Sequence, residues 1–153
     1  MTTPPHPLLK QFVLAGLLLG ITLPASSADN RTIIWLEEGE KTLLMKEMRQ
    51  FLAASQKILA ASLNDDMETI KKTARRVGIQ QMRATPVSLR EKLPKHFMAL
   101  GPKVHQGFED IAYEAETMGD SAMILERLAN LQQTCISCHA TYQIKLSPNV
   151  TSK

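Results

Sequence analysis

Both cysteines of this 153-residue chain lie in one five-residue segment, Cys135-Ile136-Ser137-Cys138-His139. Three residues make nearly one helical turn, so a helix here would turn both thiols to the same side. Cys-x-x-Cys-His is the pattern by which c-type haem is attached covalently, the thiols bonding to the two vinyl groups and the histidine ligating the iron. A chain that carries this pattern has to fold around a large flat apolar group.

Residues 1–28 differ from the remainder of the chain. Lys10 precedes twelve uninterrupted uncharged residues, 12–23, and the small residues Ser26 and Ala28 follow. Twelve residues are too few to span a bilayer comfortably, and small residues suit a cleavage site. The segment predicts a cleavable export signal at 1–28, with an uncleaved N-terminal anchor as the alternative. We expect one mature domain, 29–153, in the periplasm, with no membrane-spanning segment.

Three other interpretations of the cysteine segment were weighed. A thioredoxin-type redox pair needs a βαβ context and a cysteine at a helix N-terminus, and the flanking sequence indicates neither. A structural zinc site needs four ligands, and beyond Cys135, Cys138 and His139 only the distant His96 or His105 is on offer. A structural disulfide would not require the adjacent histidine. The sequence therefore predicts one covalent haem c as the cofactor.

The charge of the mature part names no partner. Without Lys10 the 18 basic residues fall to 17 against 15 acidic ones, a net charge of +2. The distribution is uneven, because residues 71–103 hold nine Lys or Arg and only Glu91, whereas residues 104–126 hold six acids and no Lys or Arg. This pattern weakly favours oriented docking. Nucleic-acid binding is not expected, since the basic stretch lacks interleaved aromatic residues and the chain is addressed for export.

Apolar spacings of three and four predict helices over residues 41–63, 65–77, 102–118 and 120–142, with a short helical turn in the connection 79–101. Asn64 or Asp65 is expected to cap the second helix, and Asp120 or Ser121 the fourth. Pro102 suits the first position of the third helix. The predicted buried stripes are Leu44, Met48, Leu52, Ser55, Leu59 and Ser62; Met67, Ile70, Ala74 and Val77; Val104, Phe108, Ile111, Ala115 and Met118; and Leu125 or Leu128, Leu131, Cys135, Cys138 and Tyr142.

Four amphipathic helices with the attachment motif on the last predict an all-α, antiparallel four-helix bundle that holds haem between its helices. In this arrangement, and in residues 131–142 with their Cys-x-x-Cys-His, the chain resembles the class II c-type cytochromes, the cytochrome c′ group and its low-spin relatives. The resemblance implies that the first helix covers the distal face of the haem. It also implies that Met48 is the distal iron ligand, with Met45 as the alternative; both can equally be core residues.

The distal ligand decides the function that the resemblance implies. A methionine there suits a single-electron carrier that exchanges electrons with redox partner proteins. An aliphatic residue would leave a five-coordinate iron that binds nitric oxide or carbon monoxide, which is the alternative function. Gas-binding members often carry a basic residue where this chain has Leu44. No distal acid–base pair is visible, so an enzyme such as a peroxidase is not expected.

Further expectations concern the surroundings of the haem. Where gas-binding members often carry an aromatic residue and an arginine after the histidine, this chain has Tyr142-Gln143, so the haem propionates need other partners. His96 and His105 are expected to be partly exposed helix residues, and Trp35 and Tyr113 packing residues. The resemblance also makes a homodimer through the first two helices plausible. The candidate propionate partners are Arg49, Lys46, Arg75 and Arg76.

Overall fold

A computed structural model describes residues 28–148, and the chain from Arg31 onward forms one compact unit. It is mostly helical, which confirms the all-α class. The predicted export signal lies outside the described residues, apart from Ala28. Within residues 28–148, no helix is both long enough and apolar enough to cross a membrane. The elements, in chain order, are β1 (Thr32–Leu36), α1 (Glu38–Ser62), α2 (Met67–Val77), α3 (Ile79–Arg83), α4 (Val87–Lys92), α5 (Lys95–Thr117), α6 (Ser121–Thr141) and β2 (Tyr142–Leu146).

Helix α1 begins three residues before the predicted start. The backbone N–H of Glu37 donates to Glu40 Oε2 at 3.0 Å, which satisfies one of the unpaired donors at the start of a helix. The predicted stripe is wrong at Leu52 and Leu59, whose side chains are exposed. This helix carries apolar residues on two sides, so periodicity alone selected the wrong one. The residues that α1 buries are Leu44, Phe51, Ala54, Ile58, Ala61 and Ser62.

Helix α2 buries the predicted residues Ile70, Ala74 and Val77. Its N-cap is Asp66 rather than Asn64 or Asp65, because Asp66 Oδ1 accepts the Thr69 N–H at 3.0 Å. The side-chain hydrogen bond to Thr69 lowers the pKa of Asp66. Short side chains at three successive positions can each cap a helix, so the sequence does not distinguish them.

The predicted start of the third helix at Pro102 is wrong. Helix α5 begins directly after Pro94 and continues through Pro102. The fixed φ of Pro94 suits the residue before a helix. Helix α5 therefore begins at Lys95, seven residues before Pro102. The connection 79–101 therefore contains two short helices, α3 and α4, and the first turns of α5. At the other end of α5, Gly119 adopts a φ of 65° just after the helix ends. Met118 is exposed there, so the prediction that it is buried is wrong.

Each of the four longer helices, α1, α2, α5 and α6, packs against the next one along the chain. Helix α2 packs against α1 and α5, α5 packs against α6, and α1 also contacts α6. The interface of α5 and α6 is close, since a Cβ at Gly107 would meet Leu131 Cδ1 at 2.8 Å. The main core lies between these helices, around the fully buried Phe108, Ile58, Ile70, Ile111 and Ile124.

The sequence predicted helices alone, so the strand pair β1–β2 is a correction to it. The two strands run parallel, with Ile34 opposite Ile144 and Leu36 opposite Leu146. Ile34 and Leu36 are buried, and they form a second apolar cluster with Leu44 of α1 and Leu89 of α4. The strands thereby join the chain before α1 to the chain that leaves α6 after Thr141, two residues beyond His139.

Candidate functional site

The cysteine segment occupies the last two turns of α6. Of the two predicted caps, Asp120 caps this helix, with Oδ1 accepting the N–H groups of Ala122 at 2.8 Å and Met123 at 3.2 Å. Cys135 and Cys138 lie one turn apart and are both half-buried. His139 follows on the next position and is exposed at the helix end. The local geometry therefore places two thiols and an imidazole on one end of one rigid element.

The thiols are held in their neutral form. Burial raises the pKa of Cys135, and burial together with the neighbouring Cys135 raises the pKa of Cys138. Their position near the C-terminal end of α6 acts in the same direction, because the negative end of the helix dipole disfavours a thiolate. Reactive thioredoxin-type cysteines need the opposite environment. These residues do not form a low-pKa redox pair.

A disulfide between the two cysteines does not suit a continuous α6. Residues three apart on a helix have Cβ atoms about 5–6 Å apart, whereas a disulfide holds them at about 3.5–4.5 Å. Both cysteines are free. As for zinc, residues 28–148 contain no group of three or more His, Cys, Asp or Glu side chains placed to hold a metal ion.

An apolar cavity of about 400 Å³, the interhelical cavity, lies between α1, α5 and α6. Small-molecule and cofactor sites are commonly of about 300–1,000 Å³ and mainly apolar. Cys135, Cys138 and His139 all line this cavity from α6. The other residues in its wall are Leu44, Met45, Glu47, Met48, Arg49, Phe51, Leu52, Ser55, Phe97, Leu100, Gly101, Val104 and Gln132.

A second cavity of about 340 Å³, the strand cavity, lies where α1 and α6 meet β2. Its wall shares six residues with the interhelical cavity, so the two spaces adjoin the same side chains. The shared residues are Leu44, Met45, Met48, Phe97, Cys138 and His139, and the residues of the strand cavity alone are Arg31, Tyr142, Gln143, Ile144 and Lys145.

Both methionines considered as distal ligands lie in the walls of both cavities, together with His139. Met48 is half-buried and packs against the main core and against the second apolar cluster. It therefore occupies the junction of the two packing regions. Leu44, one turn before Met48, is buried beside it in the same walls.

Of the four candidate propionate partners, only Arg49 lines a cavity that contains the cysteines. Lys46 and Arg76 line other depressions of the surface, away from the cysteines. Arg75 forms ion pairs across to α5, with Nη2 at 2.5 Å from Glu116 Oε2 and Nε at 3.7 Å from Glu109 Oε1. The basic stretch and the acidic stretch of the sequence are thus in part neutralised against each other.

Arg31, Lys145 and Phe97 line the strand cavity and were not predicted from the sequence as residues of the site. Arg31 and Lys145 reach the strand cavity only because β1 and β2 pair, and pairing between chain ends cannot be read from helical periodicity. A signal was present in the β-branched and aromatic run at 33–36 and in the alternation at 142–146.

His105 is buried, not partly exposed as expected. Its Nδ1 lies 2.8 Å from the Val77 carbonyl oxygen, and its Nε2 lies 3.5 Å from Glu47 Oε1. The ring also packs edge-on against Phe51, with centroids 5.1 Å apart. Burial follows from the early start of α5, which places His105 in the middle of the helix rather than at its beginning. It is a hydrogen-bonded core residue.

His96 is exposed, as expected, and its Nδ1 lies 3.0 Å from the Tyr142 hydroxyl. The expectation that Trp35 and Tyr113 are packing residues is wrong. Trp35 is 48% exposed and Tyr113 is 64% exposed. Trp35 alternates with the buried Ile34 and Leu36, so it points to the other face of the strand.

Comparisons with protein-family models, with curated proteins and with solved structures gave no match to this chain. Its function is therefore argued from the site alone.

Proposed function

We propose that this chain is an exported monohaem c-type cytochrome that carries single electrons in the periplasm. The observation that carries the proposal is the wall of the interhelical cavity, where Cys135, Cys138 and His139 lie with Met48. Cys135 and Cys138 would bond covalently to the haem, His139 would be the proximal ligand and Met48 the distal ligand. The chain is not proposed to be an enzyme.

The packing of the helices supports an antiparallel four-helix bundle for this chain. The four longer helices follow one another in contact, and α1 contacts α6 at the end of the sequence. The interhelical cavity lies between α1, α5 and α6. A cofactor between helices of a bundle is a common arrangement, and it would fill this space.

The donor set fits haem c. Each neutral thiol can add across one vinyl group to form a thioether, and two thiols on one helical face can reach one porphyrin. Haem, when bound, supplies a one-electron iron couple. The chain's own contribution is an imidazole at the end of α6 and a thioether at Met48, a pair of ligands that raises the reduction potential. Phe51, Phe97 and Val104 give the cavity wall an apolar surface, and an apolar surrounding of the iron would also raise the reduction potential.

Two kinds of partner belong to the proposal. Redox partner proteins would exchange electrons with the haem. A second copy of this chain would cover the exposed side of the C-terminal end of α1, where Leu59 and the C-cap residue Leu63 lie four residues apart. Leu59 and Leu63 are 47% and 75% exposed.

The test of the ligand set compares two methionine variants. Met48→Leu should open the sixth coordination position, so the reduced protein should gain a carbon monoxide complex that the parent lacks. Met45→Leu is the matched control, because it changes the same residue type in the same cavity walls. The electron-carrier proposal fails if the parent itself binds the gas, and the Met48 assignment fails if the two variants behave alike. A gas-binding parent would indicate the five-coordinate alternative.

A further inference from the structure

A third cavity, the α4 cavity, has a volume of about 220 Å³ and is bounded by α1, α3, α4 and α5. Among the described residues of its wall there is no cysteine, and neither His139 nor a methionine considered as a distal ligand is present. The wall shares Leu44, Glu47, Phe97 and Gly101 with the interhelical cavity. The α4 cavity therefore adjoins the proposed haem site, but no residue proposed to bind haem lines it.

The greater part of this wall is apolar. Leu44 and Leu89 are buried members of the second apolar cluster. The volume is below the range of about 300–1,000 Å³ that is typical of sites for drug-sized ligands, so it suits a short single chain better than a ring system. Methionine side chains adapt to the shape of such a chain. The apolar side chains of the wall are Leu44, Met82, Leu89, Leu93, Phe97 and Met98.

Two arginines lie where the α4 cavity meets solvent. Arg83 ends α3, Arg90 lies in α4, and both residues are exposed. Within residues 28–148, neither guanidinium group forms an ion pair or a hydrogen bond. Lys92 of the same helix α4, by contrast, is paired with Glu40 at 2.7 Å. The mouth of the cavity thus carries two positive charges that the protein does not neutralise.

The acidic residue of this wall, Glu47, has other partners. Gln81 Nε2 donates to Glu47 Oε1 at 3.3 Å, and His105 Nε2 lies 3.5 Å from the same oxygen. The side chain of Glu47 is 17% exposed, so it lies deeper than the two arginines. An anion at the mouth meets the positive charges, whereas an anion deeper in the cavity meets the carboxylate of Glu47. The charges therefore orient an amphipathic anion with its charged end outward.

We infer that the α4 cavity binds a single-chain aliphatic monocarboxylate, that is, a free fatty acid of short or medium length. Its carboxylate lies between the positive charges of Arg83 and Arg90, since a guanidinium group can donate two parallel hydrogen bonds to a carboxylate. Its alkyl chain lies against the apolar wall and is removed from water there. The inference goes beyond the proposed function and does not depend on it, because no residue proposed to bind haem takes part.

The test is isothermal titration calorimetry of the exported protein with octanoate, which should bind once per chain. Octanol has the same alkyl chain without the charge, and it should bind at least about tenfold more weakly, because it cannot form charge-assisted hydrogen bonds with the arginines. Octyltrimethylammonium should not bind. From hexanoate to octanoate the affinity should rise about fourfold for each added methylene group, the equivalent of roughly 0.8 kcal/mol per buried group.

Four single variants test the residues. Arg83→Gln and Arg90→Gln should each weaken octanoate binding about tenfold. Arg76→Gln is the matched control, because Arg76 is also an exposed helical arginine but lies outside the wall of the α4 cavity. Its affinity should stay within about twofold of the parent's, since distant exposed charges are screened by salt. Arg49→Gln tests the interhelical cavity as the rival site and should likewise leave the affinity unchanged.

Methionine-methyl NMR spectra of the reduced protein locate the bound octanoate. The methyl signals of Met82 and Met98 should shift, because both residues line the α4 cavity. The signal of the exposed Met118, which is outside this wall, should not. Shifts confined to Met45 and Met48 would place octanoate in the interhelical cavity and overturn the inference.

The calorimetric results can also overturn it. A parent that does not bind octanoate, or that binds octanol as tightly, refutes the inference. A loss of affinity in Arg76→Gln or Arg49→Gln as large as in Arg83→Gln and Arg90→Gln does so too, because the two arginines at the mouth would then have no specific part. Haem staining of the denatured chain reports separately whether the proposed function holds.

Discussion

Replacing Ile34 by alanine tests whether the strand pair supports the proposed haem site. Ile34 is 2% exposed and lies in β1, more than a hundred residues before the cysteine segment. It packs in the second apolar cluster with Leu36, Leu44 and Leu89, and its strand partner is Ile144 of β2. The substitution therefore weakens the contact that holds the chain leaving His139.

The expected loss of stability follows from the size of the change. Ile→Ala removes three carbon groups, and each buried one contributes roughly 0.8 kcal/mol of transfer free energy, or about 2.4 kcal/mol together. The cavity left behind adds to this, within the range of about 2–5 kcal/mol for such substitutions. The second cluster is small and close to the surface, so partial collapse should keep Ile34→Ala in the lower half of that range.

The assay is urea unfolding of the haem protein, followed in parallel by far-ultraviolet circular dichroism and by the visible absorption of the haem. Ile34→Ala should lower the free energy of unfolding by about 2–3.5 kcal/mol. Thr32→Ala, an exposed position of the same strand, should stay within about 0.5 kcal/mol of the parent. An Ile34→Ala protein as stable as Thr32→Ala would mean that β1 is not packed against α1.

Two further predictions follow from the ends and the surface of the helices. Asp120→Ala removes the acceptor for the Ala122 and Met123 N–H groups at the start of α6, and it should lower the free energy of unfolding in urea by about 1 kcal/mol. Asp120→Ser keeps a capping oxygen and should recover most of this free energy. Equal losses in the two variants would show that the cap is not the cause. Leu63→Asp adds a charge at the exposed C-cap of α1. In sedimentation velocity, this variant should be monomeric where the parent forms the proposed dimer. Val87→Asp, on the exposed side of α4, should leave the dimer intact, and a parent that is monomeric at high concentration would refute the proposed dimer.

The helices that the sequence predicted well are those with one apolar face and an unambiguous end. Helix α2 has a single stripe, with Gly78 at its C-cap, and three of its four predicted stripe residues, Ile70, Ala74 and Val77, are buried. Asp120, one of the two predicted caps, is the N-cap of α6, and an aspartate directly after Gly119 is a strong start signal for a helix. In these cases local chemistry and tertiary packing favour the same residues.

The predictions that failed depend on tertiary context. The two apolar sides of α1 compete, and contact with α2 and α6 selects the side of Phe51 over that of Leu52. The start of α5 depends on which of two prolines precedes the helix, and either is compatible with the local sequence. The burial of His105 then follows from that start, because a helix that begins at Lys95 places His105 in its middle, whereas a start at Pro102 would have left it three residues from the helix end.

The candidate site was predictable only in the part that one continuous segment encodes. Cys135, Cys138 and His139 follow from spacing within five residues, and Met48 follows from the resemblance together with its place in the first helix. Arg31 and Lys145 meet through pairing of the two chain ends, which no local pattern specifies. The two positive charges in the wall of the strand cavity could therefore not be predicted from the sequence.

The visible spectrum of the exported, unaltered protein tests the central claim most directly. It should be recorded oxidised and reduced, and again after addition of carbon monoxide. Sharp low-spin bands in both oxidation states, with a weak methionine-to-iron charge-transfer band in the oxidised protein and no change with the gas, are the result that this account predicts. A broad high-spin spectrum that shifts with carbon monoxide would contradict it.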